Sequence, residues 1–166
     1  MAGVNERAAR IELAVFDVDG VFTDGRLYYG ARGEQLKAFH VRDGHGIKLL
    51  LRHGIRVAVI SGRRSPAVTQ RMRELGIRHV FQGRDDKLPV IQALLRKLKL
   101  DWQQVACVGD DVVDLPLLES AGLAIAVADA QPELRTHAHY VTGARGGEGA
   151  VREACDLLLA ARNPGT

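Results

Sequence analysis

The stretch VFDVDGVFTDG, residues 15–25, decides the fold. It sets Asp17, Asp19 and Asp24 directly behind the apolar run LAVF (13–16). Acidic side chains crowded at the end of a hydrophobic run cost several kcal/mol to bury unless something compensates them. The pattern is that of a core strand opening onto a polar site. A calcium-binding EF-hand loop does not fit, because Phe22 stands where that loop needs glycine and Tyr28 where it needs glutamate.

Outward from this strand the same rhythm repeats. LAVFD (13–17), RVAVIS (56–61), HVFQG (79–83), QVACVGD (104–110) and LAIAVAD (123–129) read as strands, several of them apolar on both faces, as a parallel sheet covered by helices requires. Between them lie amphipathic patterns: GHGIKLLLRHG, SPAVTQRMRELG, KLPVIQALLRKLK, VDLPLLESAG and, last, GAVREACDLLLAAR. The alternation predicts an α/β fold with a doubly wound parallel sheet. One segment breaks it. RLYYGARGEQLKAFHV (26–41) has two β-rich arms around the turn-like GARG and predicts an inserted β-hairpin over about 25–41. The glycine-rich GARGGEG (143–149) begins a C-terminal segment, 143–166, expected to be flexible.

At 166 residues the chain fits one domain spanning 1–166, with 46% hydrophobic and 26% charged residues as in soluble globular proteins. No apolar run reaches the roughly 18 residues of a membrane span, and MAGVNERAAR lacks the apolar region of a signal peptide. With only two cysteines, Cys107 and Cys155, the expectation is a reduced, cytoplasmic protein. The net charge is +3, but the arginines are scattered without interleaved aromatics, so nucleic acid and membrane are not expected partners. A small anionic substrate explains the charge as well as a polynucleotide would, and a solvated arginine-rich surface explains most of it.

Ligands of open α/β sheets bind at the carboxyl ends of the strands. Those ends carry Asp17 and Asp19, then Ser61-Gly62-Arg63, then Gly109-Asp110-Asp111 with Asp114 a turn further on, while Lys87 opens the helix after the third long strand. Crowded carboxylates require a cation, and an all-oxygen set favours Mg²⁺ over zinc or copper. Each element alone has an ordinary reading: Asp19-Gly20 as a turn, Ser61 as a helix cap, Lys87 as a surface lysine. Their joint occurrence, in order and each at a strand end, is what those readings leave unexplained.

Asp17-Val18-Asp19-Gly20, Ser61-Gly62, Lys87 and Gly109-Asp110-Asp111-Val112-Val113-Asp114 resemble the four motifs of the haloacid dehalogenase superfamily over about residues 11–160. DGVFTDGRLYY, FHVRDGHGIKLL, ISGRRSPAV, LGIRHVFQG, DDKLPV and CVGDDVVDLPLL resemble, within it, the 3-deoxy-D-manno-octulosonate 8-phosphate phosphatases, a branch without a large cap domain. The resemblance implies Asp17 as nucleophile forming an aspartyl-phosphate, and Asp19 as acid and base. It implies a metal held by the Asp17 carboxylate, the Asp19 main-chain carbonyl and the Asp110 carboxylate, with Asp111 and Asp114 supporting from behind. Ser61 and Gly62 would hold the phosphoryl group and Lys87 neutralise it.

Arg63, Arg71 and the Arg42-Asp43-Gly44 turn are candidates for reading a sugar-acid carboxylate, since an arginine fork suits that group; Thr23 joins the candidate substrate-binding set. In the sister group acting on nine-carbon sialic-acid phosphates the residue after Ser-Gly is typically glutamate, so Arg63 favours the eight-carbon substrate. The relatives imply a homotetramer built through the hairpins, and Gly146–Glu153 either reaches toward an active site or caps the last helix. Two other classes remain: a phospho-acceptor signalling module, and a regulatory domain with a dead site. Asp19 argues against the first, because an acid/base there speeds the hydrolysis a signalling module must avoid.

Overall fold

The computed structural model describes residues 2–162, so the last part of the segment read as a flexible tail, 163–166, lies outside the described residues. Its frame is a six-stranded sheet, parallel at every pairing, in the order β5-β4-β1-β6-β7-β8. In chain order the strands are β1 (Leu13–Phe16), β4 (Arg56–Ser61), β5 (His79–Gln82), β6 (Val105–Gly109), β7 (Leu123–Ala126) and β8 (Tyr140–Val141). β1 is central, with Leu13 level with Arg56 of β4 on one side and Val105 of β6 on the other. All four of its residues are buried, which is why LAVF carries no alternation.

The chain runs outward from β1 through β4 to β5, then crosses back to β6 on the far side. The strand order thus reverses beside β1, where a doubly wound sheet opens a crevice at its carboxyl edge. Helices α1 (Ala2–Ala8), α2 (Val41–Arg52) and α7 (Ala150–Arg162) pack together, with α3 (Pro66–Leu75) against α2. The right-handed rule for parallel crossovers places α4 (Leu88–Leu98), α5 (Leu115–Ser120) and α6 (Pro132–His137) on the opposite face, and α5 packs on β6 and β7 and against α6. The core between the layers is apolar and includes Phe16, Phe22, Ile47, Leu50, Ile60, Met72 and Leu123. No helix among the described residues is long and apolar enough to cross a membrane.

Strands and long helices fall within a few residues of expectation. The hairpin is shorter: β2 (Tyr28–Gly30) pairs antiparallel with β3 (Gly33–Leu36) over a register shift between Tyr28 and Tyr29. Its second arm does not continue to residue 41, because the Lys37 side chain turns into the protein and Phe39 packs against the core. His40 then caps α2, its ring nitrogen accepting from Arg42 N–H at 3.2 Å, so the Arg42-Asp43-Gly44 turn is the first turn of a helix. In the glycine-rich 143–149, read as flexible, several backbone amides are hydrogen-bonded. Glu153 accepts from the amides of Gly143 and Ala144 at 2.8 and 2.9 Å, and Gly146 N–H donates to Asp129 at 2.9 Å. Gly147 N–H donates to Val21 O at 3.0 Å.

Candidate active site

Asp17 follows β1 and Asp110 follows β6, so the two flank the point where the strand order reverses. Lys87, the residue before α4, reaches back between them and is buried. Its Nζ donates to Asp17 Oδ1 and to Asp114 Oδ1, both at 2.6 Å. Asp114 in turn accepts from Asp110 N–H through its other oxygen at 3.2 Å. Carboxylate oxygens of Asp17, Asp110 and Asp114 lie within 4.8 Å of one another, a spacing that could hold a metal ion.

This crowding governs the electrostatics. Burial, and then the nearby Asp114 charge, push the Asp17 carboxyl up to about 7 against the pull of Lys87. Burial, followed by the charges of Asp17, Asp114 and Asp111, pushes Asp110 up to about 8. For Lys87, burial acts to lower and the two aspartates outweigh it, so its ammonium form is favoured beyond the ordinary lysine. No hydrogen bond to the Asp110 carboxylate is found among the described residues. A group of three carboxylates with one lysine and an unsolicited oxygen pair is the donor set a hard divalent cation satisfies.

Glycine is required at one point of this construction. Gly20 adopts φ +92°, and a Cβ there would fall onto the Asp110 carboxylate. The DVDG motif thus ends in glycine because the acidic group from β6 presses against its backbone.

The cleft above the carboxylates has a volume of about 260 Å³. Asp17, Asp19, Ser61, Gly62, Arg63, Lys87, Asp110 and Asp111 all line it, joined by Arg84, Asp85 and Val113. Buried Ser61 accepts from Arg63 N–H at 3.3 Å, which curls the backbone after β4 around the cleft. Asp111 also caps the short 3-10 turn that follows, accepting from Val112 N–H at 2.7 Å.

Two expected residues lie elsewhere. Thr23 is buried in the loop after β1, where its Oγ1 accepts from the amides of Gly20 and Gly25 at 3.3 and 3.2 Å. It shapes the loop that follows Asp17 and Asp19 and does not line the cleft. Arg71 on α3 stacks 6.0 Å from the Phe39 ring centroid and pairs with Glu74 at 3.5 Å, also outside the cleft. Asp43 is buried beside it, accepting from Arg152 N–H at 2.8 Å and so joining the starts of α2 and α7.

The hairpin supplies a second charged group that the sequence reading missed. Lys37 Nζ meets Asp19 Oδ1 at 2.5 Å and Glu34 Oε2 at 3.2 Å. Arg63 reaches the same Glu34 at 3.4 Å and donates to Tyr29 Oη at 2.8 Å. Arg84 and Asp85 were open to discovery by the strand-end rule, since they follow β5 directly. Lys37 was not, for nothing in a hairpin's spacing tells whether its one lysine turns inward.

Residues 79–153 match the haloacid dehalogenase-like hydrolase family. The 3-deoxy-D-manno-octulosonate 8-phosphate phosphatase of Yersinia pestis is 51% identical over 160 residues, covering 96% of this chain and 86% of that protein. The fold superposes on the crystal structure of the corresponding phosphatase from Moraxella catarrhalis in complex with magnesium, phosphate and a KDO molecule. The TM-score is 0.96 at 42% identity, over 98% of this chain and 94% of that one. A cobalt-bound form of the Haemophilus influenzae phosphatase matches with TM-score 0.92 at 43% identity, over 95% and 92%. This chain belongs to the 3-deoxy-D-manno-octulosonate 8-phosphate phosphatase family of haloacid dehalogenase-like hydrolases.

Proposed function

We propose that the protein is a Mg²⁺-dependent phosphomonoesterase that hydrolyses 3-deoxy-D-manno-octulosonate 8-phosphate to the free sugar acid and phosphate, a step of lipopolysaccharide precursor synthesis. The observation that carries this reading is the Asp17–Lys87–Asp114 ion-pair chain beside Asp110, in a cleft that also holds Asp19 and Ser61. Asp17 attacks phosphorus in line, forming the aspartyl-phosphate, while the bond to the sugar oxygen breaks and Asp19 delivers a proton to that oxygen. Asp19 then takes a proton from the water that cleaves the intermediate. Lys87 holds Asp17 in place, and Ser61 with the Gly62 amide receives the phosphoryl oxygens.

Asp17, Asp110 and the Asp19 main-chain carbonyl would hold the Mg²⁺, with Asp111 and Asp114 orienting the ligands. Bound there, the ion neutralises the carboxylates and draws charge from the phosphoryl group. Arg63 and Arg84 face the cleft as cations for the substrate's carboxylate. The hairpin exposes Leu27, Tyr28, Tyr29 and Leu36, apolar surface suited to a homotetramer assembled through this element.

The test is phosphate release across a panel of sugar-acid and hexose phosphates, with Mg²⁺ and with chelator. The eight-carbon acid phosphate is expected to be turned over best, chelator to abolish turnover, and Asp17→Asn to remove it with the fold retained. Better turnover of hexose phosphates or of nine-carbon acid phosphates would refute the substrate, and chelator-resistant activity would refute the metal.

A further inference from the structure

We propose that Lys37 is a positioning residue for Asp19, so that the β-hairpin sets the geometry of the proton transfer in addition to offering a surface for assembly. The inference rests on the reading of Asp19 as acid and base. Its starting point is an unusual burial. Leu36 is 52% exposed, yet the side chain of the next residue, Lys37, is 1% exposed. Taking an ammonium group out of water is costly unless good partners receive it, and a lysine on a hairpin arm has solvent within easy reach.

Lys37 instead gives its charge to Asp19 at 2.5 Å and Glu34 at 3.2 Å. Among the described residues it is the one side chain bonded to the Asp19 carboxylate. Glu34 is fixed from its other side by Arg63, which is itself bonded to Tyr29 on β2. The chain Tyr29–Arg63–Glu34–Lys37–Asp19 therefore runs from the outer surface of the hairpin to a carboxylate in the cleft. Asp19 has no comparable tie to the sheet, whereas Asp17 and Asp114 are held by Lys87. Proton transfer requires the acid within about 2.6–3.2 Å of the departing oxygen, and a displacement of about 1 Å can cost on the order of 100-fold.

Leaving groups separate this role from a merely structural one. When the sugar ester is cleaved, the P–O electron pair stays on an alkoxide oxygen that needs the proton from Asp19. When p-nitrophenyl phosphate is cleaved, the nitrophenolate departs without one. The bond formed to Asp17 is the same in both. The experiment measures kcat/KM for 3-deoxy-D-manno-octulosonate 8-phosphate and for p-nitrophenyl phosphate in wild type, Lys37→Met, Lys37→Gln and Asp19→Asn, with saturating Mg²⁺. The ratio of the two values within one preparation cancels the fraction of folded enzyme.

Lys37→Met is expected to lower that ratio by roughly 10- to 100-fold, with Lys37→Gln, which keeps a donor, falling in between. If the methionine variant does not fold, the glutamine variant carries the test. Binding of the free sugar acid, measured by calorimetry, should remain within a few-fold of wild type. A wild-type ratio in both Lys37 variants, with the ratio lowered in Asp19→Asn, would overturn the assignment of Lys37 and leave the role of Asp19 standing. An unchanged ratio in Asp19→Asn would overturn the acid/base reading and the inference with it. A tenfold loss of sugar-acid binding in Lys37→Met would place Lys37 on the substrate and also overturn the inference.

Discussion

Replacing Asp110 by asparagine should make the metal-free protein more stable while destroying its activity. The Asp110 carboxyl is pushed from 3.8 up to about 8 by burial and by the charges of Asp17, Asp114 and Asp111. An acid whose folded value is raised weakens the fold as pH climbs above its unfolded value, and the loss levels off past the folded value. At pH 7 the unfolded chain has released this proton and the folded form retains it. The interval from 3.8 to 7 is roughly 3 pH units at 1.36 kcal/mol each, a ceiling on the order of 4 kcal/mol. Side-chain relaxation and water entry reduce this, so a gain of about 2–3 kcal/mol is expected, or roughly 5–10 °C in Tm for a chain of this length.

The assay is thermal unfolding of both proteins in chelator from pH 4.5 to 8.5, then with Mg²⁺ at pH 7.5. The two melting curves should nearly coincide at the acid end and diverge as pH rises to about 8. Added Mg²⁺ should then raise the wild-type Tm and leave the variant unmoved, because binding to the folded form alone stabilises with the logarithm of ligand concentration over Kd. A variant that melts at or below wild type in chelator at pH 7.5 would refute the argument that Asp110 is held in place against its own repulsion.

Gly146→Ala should lower both stability and kcat, since a Cβ at this position would fall onto Gly20 O of the catalytic loop. Overpacking of this kind costs about 1–3 kcal/mol, and a variant with wild-type Tm and kcat would show that the glycine-rich segment does not brace that loop. Leu36→Asp puts a charge on the exposed apolar arm of the hairpin. It should shift the mass in light scattering toward the monomer, and an unchanged mass would exclude this face from the assembly.

The sheet was legible because its central strands are short, apolar and buried almost throughout, the pattern that LAVF and RVAVIS show. The strand-end rule then collected Asp17, Asp19, Ser61, Lys87 and Asp110 in one cleft. Three kinds of feature escaped. Helices α1 and α6 and strand β8 are short, and β8 has two residues, too few for any periodicity to show. Thr23 and Arg71 are chemically suited to binding substrate, but a hydroxyl and a guanidinium serve equally well to close a loop or cover an aromatic ring. The inward turn of Lys37 depends on Asp19 and Glu34, contacts formed only once the hairpin folds back onto the sheet edge.

The distribution of charge in the cleft explains why one side of it calls for a cation and the other does not. On the hairpin side, Asp19 and Glu34 face Lys37 and Arg63, so two negative charges meet two positive ones and the ion pairs close on themselves. On the sheet side, Asp17, Asp110 and Asp114 share the single ammonium of Lys87 and leave two negative charges over. The raised values of Asp17 and Asp110 are the response of a chain left to resolve that excess with protons. A divalent cation would resolve it with charge, and would restore to Asp17 the ionised form that the proposed attack on phosphorus demands. On the proposed mechanism nucleophile and metal ligand are the same residue for an electrostatic reason: the ion that would make Asp17 tolerable in its buried position would also make it reactive.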